Sequence, residues 1–483
     1  MLSRPFISES VRVACFLAVL SVHCAAPAFG DVMGRKWVQR YDGPDYRLFQ
    51  QNEQTDSFDQ AKAVAADSEG NALVAAQANG FHVSKYSASD GRLLWEQRTG
   101  TSAYFATDTA TAVTADQRGD VIATGVVAND YYTAKYSGTT GALLWEQRYA
   151  GFGNDRDAAV SVAIDLAGDV VVTGTSVGAD HARDVVCNSF GDICHFPATT
   201  DFYTIKYSGA DGHVIWERRY DGPAASNDAP SALSLDRAGN VFVAGYATRK
   251  KSDGSLDADI YVAKYDAANG AILWQRFLDG DAIDRALDAV VNPEGDVMLV
   301  GRLGGACLVK LSGADGKTVW LQRNFSEVPV SLGSIAIDDY GNVAVAGACS
   351  SYYFDRESSY QPLGDQIYTA KFRASDGNVL WQQRYSRLGS DKVDLGAGAV
   401  HFDRAGNVKI AAMAAITVNP NTSRLNAPKL GRDDGHIIWE KLFSAIDSRY
   451  EETFGGMVLD PDDQPILAGG LYPRRGRQPW RYG

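Results

Sequence analysis

The chain has 483 residues, of which 45% are hydrophobic and 22% are charged, so it is long enough to bury a large core. Lys and Arg total 46 against 59 Asp and Glu, and the resulting net charge of −13 disfavours nucleic acid as a partner. The 48 Gly and 23 Tyr suit strands and tight turns. This composition excludes a disordered, collagen-like or multi-span membrane protein.

The first thirty residues predict a signal peptide. Arg4 and Arg12 supply positive charge, and the apolar run 13–22 is too short to span a bilayer comfortably. Residues 28–30 (A-F-G) place small side chains at the two positions that a signal peptidase reads. We therefore expect a mature chain that starts at Asp31 and is periplasmic or secreted, in preference to a retained membrane anchor.

A repeat runs through the rest of the chain. Most of its copies contain G-x-x-(L/I/V)-W-x-x-R, and its eight Trp are Trp37, Trp95, Trp145, Trp216, Trp274, Trp320, Trp381 and Trp439. A Gly stands four residues before seven of them and a Lys ten residues before the same seven, at Lys85, Lys135, Lys206, Lys264, Lys310, Lys371 and Lys429. The segment from Lys to Trp contains a Gly turn between two alternating apolar stretches, which predicts a β-hairpin of strands c and d.

A second signature, D-x-x-G-(N/D)-V-x-V-x-G, is clearest where it starts at Asp116, Asp165, Asp236 and Asp338. It predicts two further strands, a and b, joined by a tight turn. One four-stranded sheet cannot bury both of its faces alone, and radial repetition of such sheets is the β-propeller.

Eight units predict an all-β fold, an eight-bladed β-propeller that forms the single domain 31–483. The eighth blade is split between the ends of the chain. Strands a, b and c are predicted at 455–460, 465–469 and 479–483, and strand d at 36–41, where it would pair with strand c. Closure of the ring by both ends removes the open edge between the first and last blades.

Both signatures resemble known families. The D-x-x-G-N-V-x-V-x-G element followed by D-x-Y-T-A-K-Y resembles the SBBP-type repeats of exported bacterial proteins. The D-G-x-L-L-W-E element resembles the tryptophan-docking repeat of PQQ-type quinoproteins and of the outer-membrane-assembly propeller BamB. The resemblance implies eight blades, with each Trp indole packed between neighbouring blades and its N–H bound to a backbone acceptor. A structural role as blade joints is thus expected for all eight Trp.

Loop lengths indicate which face carries function. The c–d hairpin keeps one length, whereas four insertions all fall between strands b and c, in the third, fourth, sixth and seventh units. The b–c and d–a loops of a propeller emerge on the same face, and variable loops on a constant scaffold are where binding usually occurs. We expect a protein or glycan partner on this face.

Acidic residues mark the d–a loops of the same face. Six of the eight units carry an acid eight residues before the signature Asp or Asn, at Asp59, Asp108, Asp157, Asp228, Asp284 and Glu452. Each acid would cap its own turn through backbone N–H groups, or the six together would form a negative funnel that binds Ca²⁺, Mg²⁺ or a cationic ligand. The capping role is favoured.

The largest b–c insertion, about 176–200, contains Cys187 and Cys194 together with two His. The C-x6-C spacing is not a standard zinc spacing and exported proteins are oxidised, so a disulfide is favoured over a zinc site. Cys307 and Cys349 lie in or beside predicted strands and are expected to be free, buried thiols.

Another insertion, 350–364, contains Tyr352, Tyr353 and Tyr360. Clustered aromatic residues suit contacts with a sugar or a protein. Packing of the aromatic residues against one another on the rim is the alternative.

Motifs of common enzymes are missing from the sequence, including H-E-x-x-H, G-x-S-x-G and the P-loop. The adjacent Cys pair that the resemblance to PQQ-dependent dehydrogenases implies is also missing, so we do not expect PQQ. No other cofactor is predicted, apart from the Ca²⁺ or Mg²⁺ alternative at the acidic mouth. We expect an exported, monomeric binding scaffold. The alternatives are a degenerate quinoprotein, a metal-assisted carbohydrate-active enzyme, and a scaffold for outer-membrane assembly.

Overall fold

The computed structural model describes residues 17–24, 33–41, 59–100 without 79, 108–178 without 152–155, 186–187, 194–195, 199–323 without 281–282, 330–354, 360–385, 393–395, 398–416, 422–444 and 450–473. These residues form strands and turns, with no helix long and apolar enough to cross a membrane.

Blades 1 to 4 follow the chain, and each consists of strands a, b, c and d in that order. Blade 1 contains Gln60–Ala66, Ala72–Gln77, Phe81–Tyr86 and Leu93–Thr99. Blade 2 contains Thr109–Ala115, Val121–Val127, Asp130–Tyr136 and Leu143–Tyr149. Blade 3 contains Ala158–Ile164, Val170–Val177, Thr200–Tyr207 and Val214–Tyr220, with the short pair Val186–Cys187 and Cys194–His195 in its b–c loop. Blade 4 contains Ala229–Leu235, Val241–Lys250, Leu256–Tyr265 and Ile272–Leu278.

Blades 5 to 7 continue the same order. Blade 5 contains Arg285–Val291, Val297–Arg302, Ala306–Leu311 and Thr318–Arg323. Blade 6 contains Val330–Ile337, Val343–Phe354, Tyr360–Phe372 and Val379–Tyr385. In blade 7 strand a is in two pieces, and the blade contains Val393–Leu395, Ala399–Phe402, Val408–Ile416, Thr422–Leu430 and Ile437–Ser444.

The eight sheets close into a ring. Strand a of every blade contacts strand a of the next, and strand a of blade 8 contacts that of blade 1, so the eight a strands surround the centre. Strands b and c are almost wholly buried, because apolar side chains on both sheet faces pack into clusters shared by neighbouring blades. This arrangement confirms the eight-bladed propeller that the repeat predicts.

Blade 8 draws its strands from both ends of the chain, as predicted, but strand c differs. Strands a and b are Tyr450–Leu459 and Pro465–Pro473, and strand d is Met33–Tyr41. Leu17–Cys24 lies between strands b and d, so Trp37 pairs with Ser21 and not with residues 480–482. The prediction placed strand c at 479–483, and residues 474–483 lie outside the described part of the chain. The apolar sequence 17–22 is a good strand former, and its backbone satisfies both open strand edges.

Among the described residues, a Trp hydrogen bond joins neighbouring blades at seven of the eight joints. The indole Nε1 donates to a carbonyl in the c–d turn of the following blade, from Trp37 to Ala88, Trp95 to Gly138, Trp145 to Gly209, Trp216 to Ala267, Trp274 to Gly313, Trp320 to Ala374 and Trp381 to Arg432. These N···O distances are 3.0–3.4 Å. The repeated Gly of the next blade packs on the ring: a Cβ on Gly212 would lie 2.8 Å from Trp145. Only Gly fits there, because its φ of +76° is also left-handed.

The repeated Lys serves the same joint. Lys135 Nζ donates to Gly209 O at 2.8 Å, the carbonyl that Trp145 also reaches, and it pairs with Asp116 of its own blade at 2.8 Å. Lys85, Lys206, Lys264 and Lys310 make the equivalent contacts to the next blade. The sequence predicted these Lys as strand-face residues, and the structure adds a buried ion pair within the blade and a hydrogen bond from the same Lys to the next blade.

Candidate functional site

Length variation in the described residues is confined to one face, here called the loop face. All eight a–b turns have the same backbone bonding, as do the seven described c–d turns, so the opposite face is uniform. On the loop face, strands b and c are separated by two residues in blade 2 but by 22 in blade 3. Strands b and c of blade 4 are ten residues long, and those of blade 6 are 12 and 13, so both blades extend as long hairpins.

The acids of the d–a loops lie at the base of these hairpins. Asp59, Asp108, Asp157, Asp228 and Asp284 are all at most 6% exposed. The side chain of Glu452 lies outside the described residues. The burial places the five Asp within the walls of the loop face and not on an open surface.

Backbone N–H groups surround the acids. Asp157 accepts from Gly151 N at 2.5 Å in the d–a loop and from Val177 N at 3.0 Å at the end of strand b. Asp228 accepts from Gly222 N and from Thr248 N, the latter at 2.7 Å.

Asp284 repeats the pattern with Gly280 N at 2.5 Å and Gly304 N at 2.8 Å, and Asp108 accepts from Ala128 N at 2.7 Å. The donors Gly151, Gly222 and Gly280 lie in the d–a loop of the acid itself, whereas Val177, Thr248, Gly304 and Ala128 lie near the end of strand b of the same blade. Binding of a cation by the six acids stays a prediction.

The same acids also join neighbouring blades on the loop face. The backbone N–H of Asp157 donates to Asn129 O, that of Asp228 to Thr200 O and that of Asp284 to Ala258 O, each acceptor lying in or beside the b–c loop of the preceding blade. Each acid therefore fixes two successive b–c loops relative to one another.

Burial affects the protonation of two acids. Desolvation, together with the nearby Asp221 and Asp201 carboxylates, raises the pKa of Asp228 to about 6, although the N–H groups of Thr248 and Gly222 act in the opposite direction. Desolvation likewise raises the pKa of Asp284.

The sequence analysis did not predict two clusters on the loop face, each made of three Asp carboxylates. One oxygen each of Asp201, Asp221 and Asp228 lies within 4.8 Å of the others, and the same is true of Asp257, Asp259 and Asp279. The sequence signal for them is an Asp five residues before the repeated Lys, which occurs in blades 2, 3 and 4.

Both carboxylate groups already contain cations from the chain. Arg219 pairs with Asp201 at 2.8 Å, and Arg249 bridges Asp259 and Asp279. Lys251 pairs with Asp257 at 2.7 Å. Arginine and lysine side chains of the chain itself thus offset part of the negative charge of both groups.

The Cys-containing and aromatic insertions are described by their backbone alone. Cys187 lies opposite Cys194 in a two-residue antiparallel ladder within the b–c loop of blade 3. Tyr352, Tyr353 and Tyr360 lie near the tip of the blade 6 hairpin, where Tyr352 pairs with Pro362. The disulfide and the aromatic contact surface both stay predictions.

Cys307 and Cys349 are buried thiols in blades 5 and 6, and Cys349 Sγ donates to Gln366 O at 3.5 Å. Burial raises the pKa of the Cys307 thiol to about 12, so this thiol stays protonated and unreactive.

Comparison with known proteins places the fold. The family model described as "Outer membrane protein assembly factor BamB" matches residues 35–258 and 258–445. No curated protein matches the sequence.

Among solved structures, the chain is similar to the quinohemoprotein alcohol dehydrogenase from Comamonas testosteroni, with a TM-score of 0.51, 10% identity and coverage of 88% of this chain and 76% of that one. It is also similar to Sqt1 from Saccharomyces cerevisiae (TM-score 0.50, 9% identity, coverage 86% and 97%) and to BamB from Moraxella catarrhalis (TM-score 0.45, 15% identity, coverage 84% and 96%). At these identities the likenesses show the fold alone. On the match of the family model, the chain, a PQQ-like β-propeller, belongs to the BamB outer membrane protein assembly factor family.

Proposed function

We propose that the chain is an exported scaffold that binds a protein partner through its loop face. The observation that supports this most strongly is the contrast between the two faces. The turns of one face repeat the same bonding, whereas the hairpins of the other differ in length from blade to blade. A repeated scaffold that keeps one face constant and varies the other presents a specific surface.

The arrangement of the longer b–c segments favours a large partner. They belong to blades 3 and 4, which are neighbours, and to blades 6 and 7, which are also neighbours. Two raised regions separated by the shorter loop of blade 5 suit a folded partner better than a small molecule in one pocket. The family description, an assembly factor for outer membrane proteins, agrees with a protein partner in the cell envelope.

The hairpin of blade 4 offers the best defined contact surface. Leu256, at its tip, is 59% exposed and pairs with Lys250, next to the ion pair of Lys251 with Asp257. An exposed aliphatic side chain within a charged rim is a common feature of protein interfaces.

Site-specific photo-crosslinking in living cells tests the proposal. A photoreactive residue at Leu256 is expected to form a crosslink to another protein, identified by mass spectrometry. The matched control is Leu166, which is 73% exposed in the a–b turn of blade 3 on the opposite face. Crosslinks from Leu166 but not from Leu256, or from neither position, would contradict the proposal. Retention on a glycan resin that is lost when the blade 4 hairpin is shortened would instead favour the glycan alternative.

A further inference from the structure

Three carboxylates meet where the long hairpin of blade 4 joins the ring. Asp257 and Asp259 are two residues apart in strand c, so their side chains lie on the same face of the sheet. Asp279 directly follows strand d and lies beside Asp259, because Ile260 pairs with Leu278. One oxygen of each Asp lies within 4.8 Å of the others. We call Asp257, Asp259 and Asp279 the hairpin carboxylates.

The hairpin carboxylates differ from the acids of the d–a loops in their hydrogen-bond partners. Asp157 and Asp228 each accept two backbone N–H groups. Among the described residues, no backbone N–H donates to a hairpin carboxylate, and the hydrogen bonds of Asp259 and Asp279 come from Arg249. Capping of turns therefore does not account for these three acids.

The cations of the chain satisfy the hairpin carboxylates only in part. Arg249 donates through Nε to Asp259 Oδ2 and through Nη2 to Asp279 at 2.9 Å, and Lys251 pairs with Asp257 at 2.7 Å. The second oxygen of Asp259, Oδ1, is buried and has no hydrogen-bond partner among the described residues. Because Oδ1 belongs to the same carboxylate, it borders the cluster. A buried carboxylate oxygen without a donor or a cation is unfavourable.

The joint between blades 4 and 5 keeps a negative charge. Desolvation and, to a smaller extent, the carboxylates of Asp257 and Asp279 raise the pKa of Asp284, the first acid of blade 5. In the described part of the chain, this group of four acids forms ion pairs with two cations, Arg249 and Lys251. A further positive charge would therefore stabilise the joint.

The arrangement of oxygens suits calcium better than magnesium. Ca²⁺ binds oxygen ligands at about 2.3–2.6 Å, so ligands on opposite sides of the ion lie up to about 5 Å apart. The 4.8 Å spread of the hairpin carboxylates falls within this limit, whereas Mg²⁺ would require oxygens within about 4.2 Å of one another. The side chains of Asp279 and Lys251 are 57% and 45% exposed, so an ion can enter from solvent as Lys251 leaves.

We propose that the hairpin carboxylates bind one Ca²⁺ at the base of the blade 4 hairpin, with Asp259 Oδ1 as a buried ligand. The ion replaces Lys251 beside Asp257, and water completes its coordination. By joining strand c to the d–a loop, the ion fixes the hairpin relative to the ring. This site is separate from the funnel of six d–a loop acids, and the inference does not depend on the proposed function.

Calorimetric titration and thermal unfolding of the exported protein, first treated with chelator and then supplied with CaCl₂, test the site. Ca²⁺ is expected to bind with a Kd of about 10⁻⁴–10⁻³ M, as in extracellular calcium modules, and to raise the melting temperature by mass action. Mg²⁺ should bind more weakly. Asp279→Asn changes the exposed ligand, so this variant should fold and bind Ca²⁺ at least about tenfold more weakly. Asp259→Asn should abolish the rise in melting temperature.

Matched controls come from an exposed ion pair on the opposite face. Lys317 pairs with Asp315 at 2.7 Å in the c–d turn of blade 5, and neither Asp315→Asn nor Lys317→Gln should change Ca²⁺ binding. Lys251→Gln should tighten it, because this change removes the competing cation. The proposal is overturned if Ca²⁺ does not bind the unaltered protein, or if Asp259→Asn and Asp279→Asn leave binding unchanged. Binding that is lost only in the combined Asp108→Asn, Asp157→Asn, Asp228→Asn variant would place the ion in the funnel and also overturn it.

Discussion

The joint between blades 2 and 3 and the joint between blades 7 and 8 contain the same residue in different surroundings. Trp145 is 6% exposed, its indole donates to Gly209 O, and Gly212 packs on its ring. Trp439 is partly buried, and within the described residues its Nε1 is buried without a hydrogen-bond partner. Residues 25–32, between strands c and d of blade 8, lie outside the described residues.

This difference shows what a repeated Trp contributes to a propeller. The side chain itself supplies apolar area at every joint, but the hydrogen bond and the close ring contact depend on the c–d turn of the next blade. A joint is therefore a property of two blades, and within the described residues the joint to the blade assembled from both ends of the chain has no Trp hydrogen bond.

The largest expected effect on stability comes from removing the Trp side chain at a joint where its indole hydrogen bond is present. Trp145→Ala should lower the free energy of unfolding by about 3–5 kcal/mol, because it removes a buried aromatic side chain and leaves a cavity. Trp439→Ala should cost less than about 2 kcal/mol, since this side chain is less buried and lacks the hydrogen bond. Urea unfolding of both variants measures the two losses in free energy of unfolding. Equal losses would contradict the claim that the two joints differ.

A smaller effect comes from the Gly beneath the ring. Gly212→Ala should cost about 2–3 kcal/mol, because it strains a residue at positive φ and presses a methyl group against Trp145. Gly168→Ala is the matched control: its φ is +88° and a Cβ there would meet nothing within 4 Å, so only the backbone strain of about 1 kcal/mol applies. If both substitutions lower the free energy of unfolding by the same amount, the contact between Gly212 and the Trp145 ring contributes nothing to the joint.

Acid should weaken the buried Asp–Lys ion pairs within the blades, whose Lys also reach the next blade. Desolvation alone would raise the pKa of Asp236, but hydrogen bonds from Asn240 and Lys264 outweigh it and hold the pKa below its usual value. A carboxyl with a lowered folded-state pKa stabilises the protein above the unfolded pKa of about 4 and loses that contribution as the pH falls through the folded pKa.

The free energy of unfolding should therefore fall between pH 5 and pH 2, and Asp236→Asn should reduce that fall. Unfolding by urea at a series of pH values measures both slopes. An unchanged slope in the variant would show that the pair does not contribute to acid sensitivity.

The smallest expected effects on stability concern the loop face, where the Asp residues of the d–a loops connect neighbouring blades. Because both oxygens of Asp157 accept N–H groups, we expect Asp157→Ala to cost about 1–2 kcal/mol and chelator to leave that loss unchanged. The opposite result, a rise in melting temperature with Ca²⁺ that is lost in the combined Asp108→Asn, Asp157→Asn, Asp228→Asn variant, would support a cation site.

Much of the fold could be predicted because the two repeated sequence signatures indicate turns and hairpins, which are formed by residues close together in the chain. A Gly four residues before Trp marks a turn at positive φ, and the constant distance from Lys to Trp marks one hairpin, so the number of blades could be counted from the sequence. The sequence favoured capping of each acid's own turn, and Asp157 and Asp228 each accept one N–H from their own d–a loop and one from near the end of strand b.

The remaining features depend on contacts between distant parts of the chain. The sharing of Gly209 O by Lys135 and Trp145 spans more than sixty residues and leaves no pattern within one unit. The group of Asp201, Asp221 and Asp228 likewise combines a strand of blade 3 with the loop leading into blade 4. Strand c of blade 8 was assigned from repeat matching alone, which does not account for competition from the apolar segment 17–24.

Hydrogen exchange of the Trp indole N–H groups in the intact protein tests the central claim most directly. With isotope-labelled Trp, the indoles of Trp37, Trp95, Trp145, Trp216, Trp274, Trp320 and Trp381 should exchange slowly, because each N–H is bound to a carbonyl of the next blade. The indole of Trp439 should exchange faster than all seven. Protection of Trp439 equal to theirs, or fast exchange at several of the seven, would contradict the account.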